Sequence, residues 1–211
     1  MDLPLGGAPG THPKEGLGSS SDVRRRILRL SRRTAGAQQP GPEVAMPSDV
    51  PHPIAAPYVG VVGPADANRQ ETALARRVGE LLAERGAVVL CGGLGGVMAA
   101  AATGVRDRGG LAVGLLPGTD RADADPHLTV ALATGLGELR NGLIVRASDA
   151  LIAVGGSWGT LSEVALAMRL GRPVVSLAGW SVPDAPPGAA PVPAATPEEA
   201  VAAVLAAVGR T

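Results

Sequence analysis

Phenylalanine is absent from this 211-residue chain, lysine and cysteine occur once each, and histidine occurs three times. Each scarcity removes a class of chemistry. The single lysine, Lys14, stands in the N-terminal stretch, so the core has no amine for a pyridoxal phosphate Schiff base and no lysine for a phosphate-cradling P-loop. Cys91 alone excludes an intrachain disulfide framework, and His12, His52 and His127 are too scattered for a zinc cage. No metal ion and no separate cofactor are expected, and a reducing, cytoplasmic setting is the default. The aromatics are Tyr58, Trp158 and Trp180, and 19 basic residues balance 19 acidic ones, so neither a stacking platform nor a basic surface for nucleic acid is present. No apolar run reaches the roughly 18 residues of a membrane span, and the N-terminus shows no apolar secretory core.

What the chain does have is glycine, alanine and short apolar runs. Residues 1–56 are rich in Gly, Pro and Arg and lack a sustained period, so they read as a disordered tail. Its basic run, Arg24 to Arg33, is either a solvated charge run, a short helix for an acidic surface, or translation from upstream of a true start at Met46. Residues 57–180 alternate strand and helix. Strands are expected at 58–63, 87–91, 111–116, 128–132, 149–154 and 173–177, the last closing the sheet. Helices are expected at 68–85, 97–107, 137–147 and 159–171. Continuous apolar strands separated by helices predict an α/β, Rossmann-like, doubly wound and mainly parallel sheet with helices on both faces. A Pro/Ala linker over 181–195 then leads to a C-terminal helix over 196–211, opened by the capping box Thr196-Pro197-Glu198-Glu199 and packing on the core.

The richest local pattern is Val154-Gly155-Gly156-Ser157-Trp158-Gly159-Thr160-Leu161-Ser162-Glu163. It joins an apolar strand to a helix, where backbone N–H groups at the helix N-terminus make an anion site. Gly155, Gly156, Ser157, Gly159 and Thr160 are therefore candidate phosphate-binding residues, with the Glu163 carboxylate one turn further in. Other readings compete. The same residues fit the G-x-S-x-G nucleophile elbow, but that fold needs a histidine after the serine and His127 precedes it. Thr160-x-x-Glu163 also fits a capping box. Trp158 is either a platform for a ligand ring or a packing wedge.

A second turn, Gly92-Gly93-Leu94-Gly95-Gly96, lies at the same strand edge. A dinucleotide fingerprint would need glycine at position 98, which is Met98, and an acidic residue after the next strand, which is lacking. Gly92, Gly93, Gly96 and Met98 remain either a phosphate-facing loop or a plain helix start. Arg140 and Asn141 on the helix before the fifth strand either reach the same edge or are a solvated arginine and a helix-capping asparagine.

Together, Gly92-Gly93-x-x-Gly96-Val97-Met98, Leu139-Arg140-Asn141 and Gly155-Gly156-x-x-Gly159-Thr160-x-x-Glu163 resemble the Rossmann-like superfamily of the Lonely Guy (LOG) cytokinin-activating enzymes, once labelled possible lysine decarboxylases. The resemblance spans about Tyr58 to Trp180. It is nearest to a branch of small uncharacterised bacterial proteins that includes molybdenum-cofactor carrier proteins and, more distantly, the DNA-processing protein A domain. It implies hydrolysis of the N-glycosidic bond of a nucleoside 5′-monophosphate, with Gly155, Gly156, Gly159 and Thr160 on the phosphate and Arg140 and Glu163 as the catalytic pair. The enzymes carry Pro where this chain has Val154, and Arg-Lys where it has Arg140-Asn141. The Arg-Asn form is similar to the carrier branch, whose members bind a phosphate-bearing cofactor and need not turn it over. The expected function is thus a LOG-like phosphoribohydrolase, with a non-catalytic carrier or sensor of a nucleotide-like or molybdenum cofactor as the alternative. The resemblance also implies a homo-oligomer. Lysine decarboxylation is excluded by the lysine-free core.

Overall fold

The computed structural model describes residues 55–181 and 190–209. The expected tail up to residue 54, including Lys14 and the basic run Arg24 to Arg33, and most of the expected linker lie outside them. Seven strands form one parallel sheet: β1 (Tyr58–Val62), β2 (Val88–Cys91), β3 (Leu111–Leu116), β4 (Val130–Ala133), β5 (Ala150–Val154), β6 (Val174–Leu177) and β7 (Val192–Ala194). Their order is β4-β3-β2-β1-β5-β6-β7. The chain winds outward from β1 to β4, returns to lay β5 on the free side of β1, then winds outward again. The order reverses between β1 and β5, where sheets of this kind bind ligands at their strand C-terminal ends.

Alternation along each strand divides the core into two layers. Val59, Val61, Val89, Ile152 and Val154 face one way and pack with helices α1 (Arg69–Glu84), α2 (Val97–Asp107) and α5 (Pro197–Ala207). Val62, Val88, Leu90, Leu151 and Ala153 face the other way and meet α3 (Asn141–Ala147) and α4 (Trp158–Arg169). Helices on both faces of a parallel sheet are what the continuous apolar strands predict. No helix among the described residues is long and apolar enough to cross a membrane.

Local chemistry sets the helix starts. Asn68 caps α1, accepting from the N–H groups of Gln70 and Glu71 at 2.9 and 3.0 Å, while the Glu71 carboxylate accepts from Asn68 N–H at 2.9 Å. At α5, Thr196 accepts from Glu199 N–H at 3.2 Å, but the Glu199 carboxylate reaches one residue further back, to Ala195 N–H at 2.9 Å. The helices α1 and α2 pack backbone to backbone, because a Cβ at Gly79 would strike the Ala101 carbonyl and one at Gly104 the Arg76 carbonyl.

Three features depart from the sequence reading. The sheet does not close at β6, since Val192-Pro193-Ala194 pairs beyond it in register with Val175, Ser176 and Leu177. Proline is tolerated there because β7 is an edge strand with one side unpaired. The fourth strand begins at Val130 rather than Leu128, which instead packs its side chain onto Gly93 and Gly114. The helix expected from residue 137 is a 3-10 turn, Gly137–Arg140, that passes into α3 at Asn141.

Candidate functional site

A cavity of about 340 Å³ opens at the sheet's C-terminal edge. The end of β1 and its loop supply Val62, Gly63 and Ala65, the turn after β2 supplies Gly92 and Leu94, and α2 supplies Met98. Pro117 follows β3. The 3-10 turn and α3 contribute Gly137, Glu138, Arg140 and Asn141, and the start of α4 contributes Ser157, Gly159, Thr160 and Glu163.

The position of α4 is decided by Ser157. Its hydroxyl oxygen accepts from Thr160 N–H at 3.1 Å and makes a 2.9 Å hydrogen bond with the Thr160 hydroxyl. Ser157 is thus the N-cap, Thr160 the third helical residue and Glu163 the sixth, which removes the capping-box reading of Thr160 and Glu163. The N–H groups of Trp158 and Gly159 have no partner among the described residues, as expected of a helix's first turn. They are the donors that an anion would use.

Arg140 is neither solvated nor paired in an ordinary way. It is 9% exposed, and its guanidinium lies across the α-carbon of Gly92, where a Cβ would come within 2.6 Å of both terminal nitrogens. One terminal nitrogen donates to the Asn141 side-chain oxygen at 2.6 Å. The same nitrogen stands 3.9 Å from the Glu163 carboxylate, beyond hydrogen-bond reach. Arg140 Nε is buried with no hydrogen-bond partner. Asn141 does not cap α3, whose start has no side-chain cap: it is the first helical residue, and its carbonyl oxygen accepts from Arg140.

Burial dominates the electrostatics. Glu163, 6% exposed, is pushed up from 4.5 to about 7 by desolvation, with Arg140 only partly offsetting it. Desolvation likewise lowers Arg140 from its ordinary value, against the pull of Glu163. The Cys91 thiol at the end of β2 is raised to about 11 by burial, although a backbone hydrogen bond at Gly93 acts in the opposite sense. No group of three or more His, Cys, Asp or Glu residues that could hold a metal ion occurs among the described residues. The arrangement can therefore receive an anion on a fixed cation and a helix N-terminus, beside a carboxyl group able to hold or release a proton near neutrality.

Residues 56–201 match the model of the SLOG cluster4 family. The chain belongs to that family. An uncharacterised protein of Archaeoglobus fulgidus is 45% identical over 119 residues, covering 56% of this chain and 78% of its own. The structure of the molybdenum cofactor binding protein of Rippkaea orientalis is similar at 32% identity and a TM-score of 0.66, over 72% of this chain and 98% of that one. The molybdenum cofactor carrier protein of Chlamydomonas reinhardtii is similar at 33% identity and a TM-score of 0.67, over 74% and 99%.

Within this SLOG cluster4 cavity the structure brings together Gly92, Met98, Arg140, Asn141, Ser157, Gly159, Thr160 and Glu163. Four candidate glycines stand outside its lining. Gly93 and Gly96 adopt φ of +75° and +62° and carry the β2–α2 turn past Gly114 and the Pro64–Ala65 backbone. Gly155, at φ +66°, lies against the Glu71 carboxylate, and Gly156 lies flat under the Trp180 ring. Their task is close approach and turning. Trp158 packs edge-to-face on Trp180, with centroids 5.3 Å apart and planes at 82°, so Gly156, Trp180 and Trp158 form a stack beside the helix start. The sequence reading missed Val62, Gly63, Ala65, Leu94, Pro117, Gly137 and Glu138. Gly63-Pro64 and Pro117-Gly118 each follow a strand directly, and that position was the available signal.

Proposed function

We propose that this SLOG cluster4 protein is a carrier that binds a phosphate-bearing, pterin-type cofactor such as the molybdenum cofactor, seating the anionic group between Arg140 and the first turn of α4. The observation that carries this reading is the buried Arg140 guanidinium in the cavity wall, bonded to Asn141 but 3.9 Å from the Glu163 carboxylate and so without a hydrogen-bonded anion. A buried cation with no hydrogen-bonded anion is costly, and an anion accepting from its terminal nitrogens offsets that cost. The free N–H of Gly159 and the proton left over from the Ser157–Thr160 hydroxyl pair supply further donors. Val62, Leu94, Met98 and Pro117 supply an apolar wall for a flat ring system, and the volume suits a small molecule. Support also comes from the two cofactor-binding proteins, each similar along nearly its whole length.

The buried Arg140–Glu163 pair favours a second reading, the LOG-like phosphoribohydrolase. In that reaction water adds to the ribose C1′, the N-glycosidic bond breaks, and the base leaves with a proton, giving ribose 5-phosphate. A carboxyl group near 7 is suited to orient the water and take its proton. One pair of measurements separates the two. Protein purified from cells that make the cofactor is assayed for bound molybdenum, and the same protein is incubated with nucleoside 5′-monophosphates and assayed for free base. Retained molybdenum that Arg140→Ala abolishes, with no base released, supports the carrier. Base released by wild type and not by Glu163→Gln, with no molybdenum retained, overturns it in favour of the hydrolase.

Self-association belongs to the same proposal. Leu136, Leu139 and Leu143 are exposed beside the cavity, Leu139 at 79%. Sedimentation of wild type and Leu139→Glu tests whether a second copy covers them, with the variant expected as the smaller species.

A further inference from the structure

We infer that Asn141 is the positioning residue of the anion site: its side-chain oxygen holds the Arg140 guanidinium away from Glu163 and presents it to the cavity. The inference rests on the anion-binding reading above. A guanidinium only donates, so the Asn141 atom facing Arg140 at 2.6 Å is the carbonyl oxygen, and its amide nitrogen is left free of protein partners among the described residues. That nitrogen belongs to a cavity-lining residue and adds a neutral donor beside the cation.

Geometry shows what Asn141 prevents. The terminal nitrogen it holds is 3.9 Å from the Glu163 carboxylate, and a shift of about 1 Å would close a charge-assisted hydrogen bond. Arg140 would then be neutralised inside the protein, and an incoming anion would compete with a resident carboxylate for the same donor. Gly92 leaves room for the guanidinium without steering it, because it offers no side chain. Asn141 supplies the direction. Its own place is fixed by its backbone N–H, which bonds the carbonyls of Glu138 and Leu139 where the 3-10 turn becomes α3.

The site then handles one charge at a time. The charged group acting on Glu163 is Arg140; Glu163 in turn acts on the Cys91 thiol across the sheet edge, and Glu138 at the rim acts on Arg140. With Arg140 held off, Glu163 keeps its proton at mildly acidic pH, and the cation is open to phosphate. As Glu163 ionises, phosphate meets a second negative charge in the same cavity, and affinity falls.

The test reads Glu163 directly, without ligand, by carboxyl-carbon NMR titration of wild type, Asn141→Ala and Asn141→Asp. Alanine removes the acceptor and suits a helix's first residue, so folding is not threatened. Asparagine's isostere aspartate keeps the acceptor. The expected result is a Glu163 midpoint lowered by about one pH unit or more in the alanine variant, as Arg140 moves onto the carboxylate, and not lowered in the aspartate variant. A midpoint equal to wild type in Asn141→Ala overturns the inference, as does an equal fall in both variants. Calorimetry with inorganic phosphate near pH 6 is run on the same proteins. Asn141→Ala is expected to bind it about tenfold more weakly. Wild type that binds no phosphate, with the NMR shift intact, removes the anion-binding reading and leaves Asn141 as the residue that sets Arg140. Binding in wild type with no change in either readout on Asn141→Ala removes the positioning role alone.

Discussion

Replacing Glu163 with glutamine should change how stability depends on pH, in a direction fixed by the site. The native carboxyl titrates at about 7 against 4.5 for the group in the open. Its neutral form is the one that folding favours, so the native state binds more protons than the unfolded state between those values. Stability from this group is fully present below about 4.5 and is lost as pH rises through 7. The whole shift corresponds to about 3 kcal/mol, most of it falling between pH 5 and pH 8. Glutamine keeps the volume and cannot ionise, so all other titrations are shared and cancel in the comparison. Below about pH 4.5 the two proteins should have nearly equal urea midpoints, and at pH 5 they should differ only slightly. At pH 8 the variant's midpoint should be higher by roughly 1 M, for an m-value near 2 kcal/mol per molar. Parallel pH profiles for the two proteins would show that Glu163 is ionised and well solvated, and would refute the account of a carboxyl raised by burial.

Four shorter tests follow from other residues. Gly92→Ala places a methyl group within 2.6 Å of the Arg140 guanidinium and the Met98 sulfur, which must both shift, so stability should fall by about 1–3 kcal/mol and phosphate affinity about tenfold or more in calorimetry. Ser157→Ala removes the α4 cap and should cost about 1 kcal/mol in denaturant unfolding. Arg140→Met, which keeps the stem and removes the cation, should abolish anion binding, and the native state should tolerate it because an unsatisfied buried donor goes with it. Cys91, buried and raised to about 11, should resist thiol reagents in the native protein at pH 8 and react only as fast as the chain unfolds.

Much of this architecture was legible because parallel strands buried on both faces leave uninterrupted apolar runs. Tyr58 to Val62, Leu111 to Leu116 and Ala150 to Val154 are of this kind. The strand Val192–Ala194 was not legible, since three residues with a central proline have the same composition as the linker around them. Thr160 and Glu163 could be read as cap or as ligand residues from spacing alone. The choice depended on whether the helix began at Ser157 or at Thr160, and one hydroxyl on one N–H decides it. Arg140 was the hardest case. Its burial depends on a side-chain-free position at Gly92, in the turn after β2 and 48 residues away, and no local pattern encodes that meeting. Asn141 followed Arg140 into ambiguity for the same reason, because an asparagine at a helix start reads first as a cap.

The paired indoles have a practical consequence. The chain contains two tryptophans and a single tyrosine, and both tryptophans lie at the head of α4, with Trp158 set between the cavity residues Ser157 and Gly159. Emission excited at the red edge of indole absorption therefore arises entirely from the doorstep of the candidate site. Perpendicular rings in contact also couple their electronic transitions, which gives a near-ultraviolet circular dichroism band that disappears when the two rings part. This protein carries a label-free optical gauge of the first turn of α4, placed by the fold where a bound anion would tighten or loosen it.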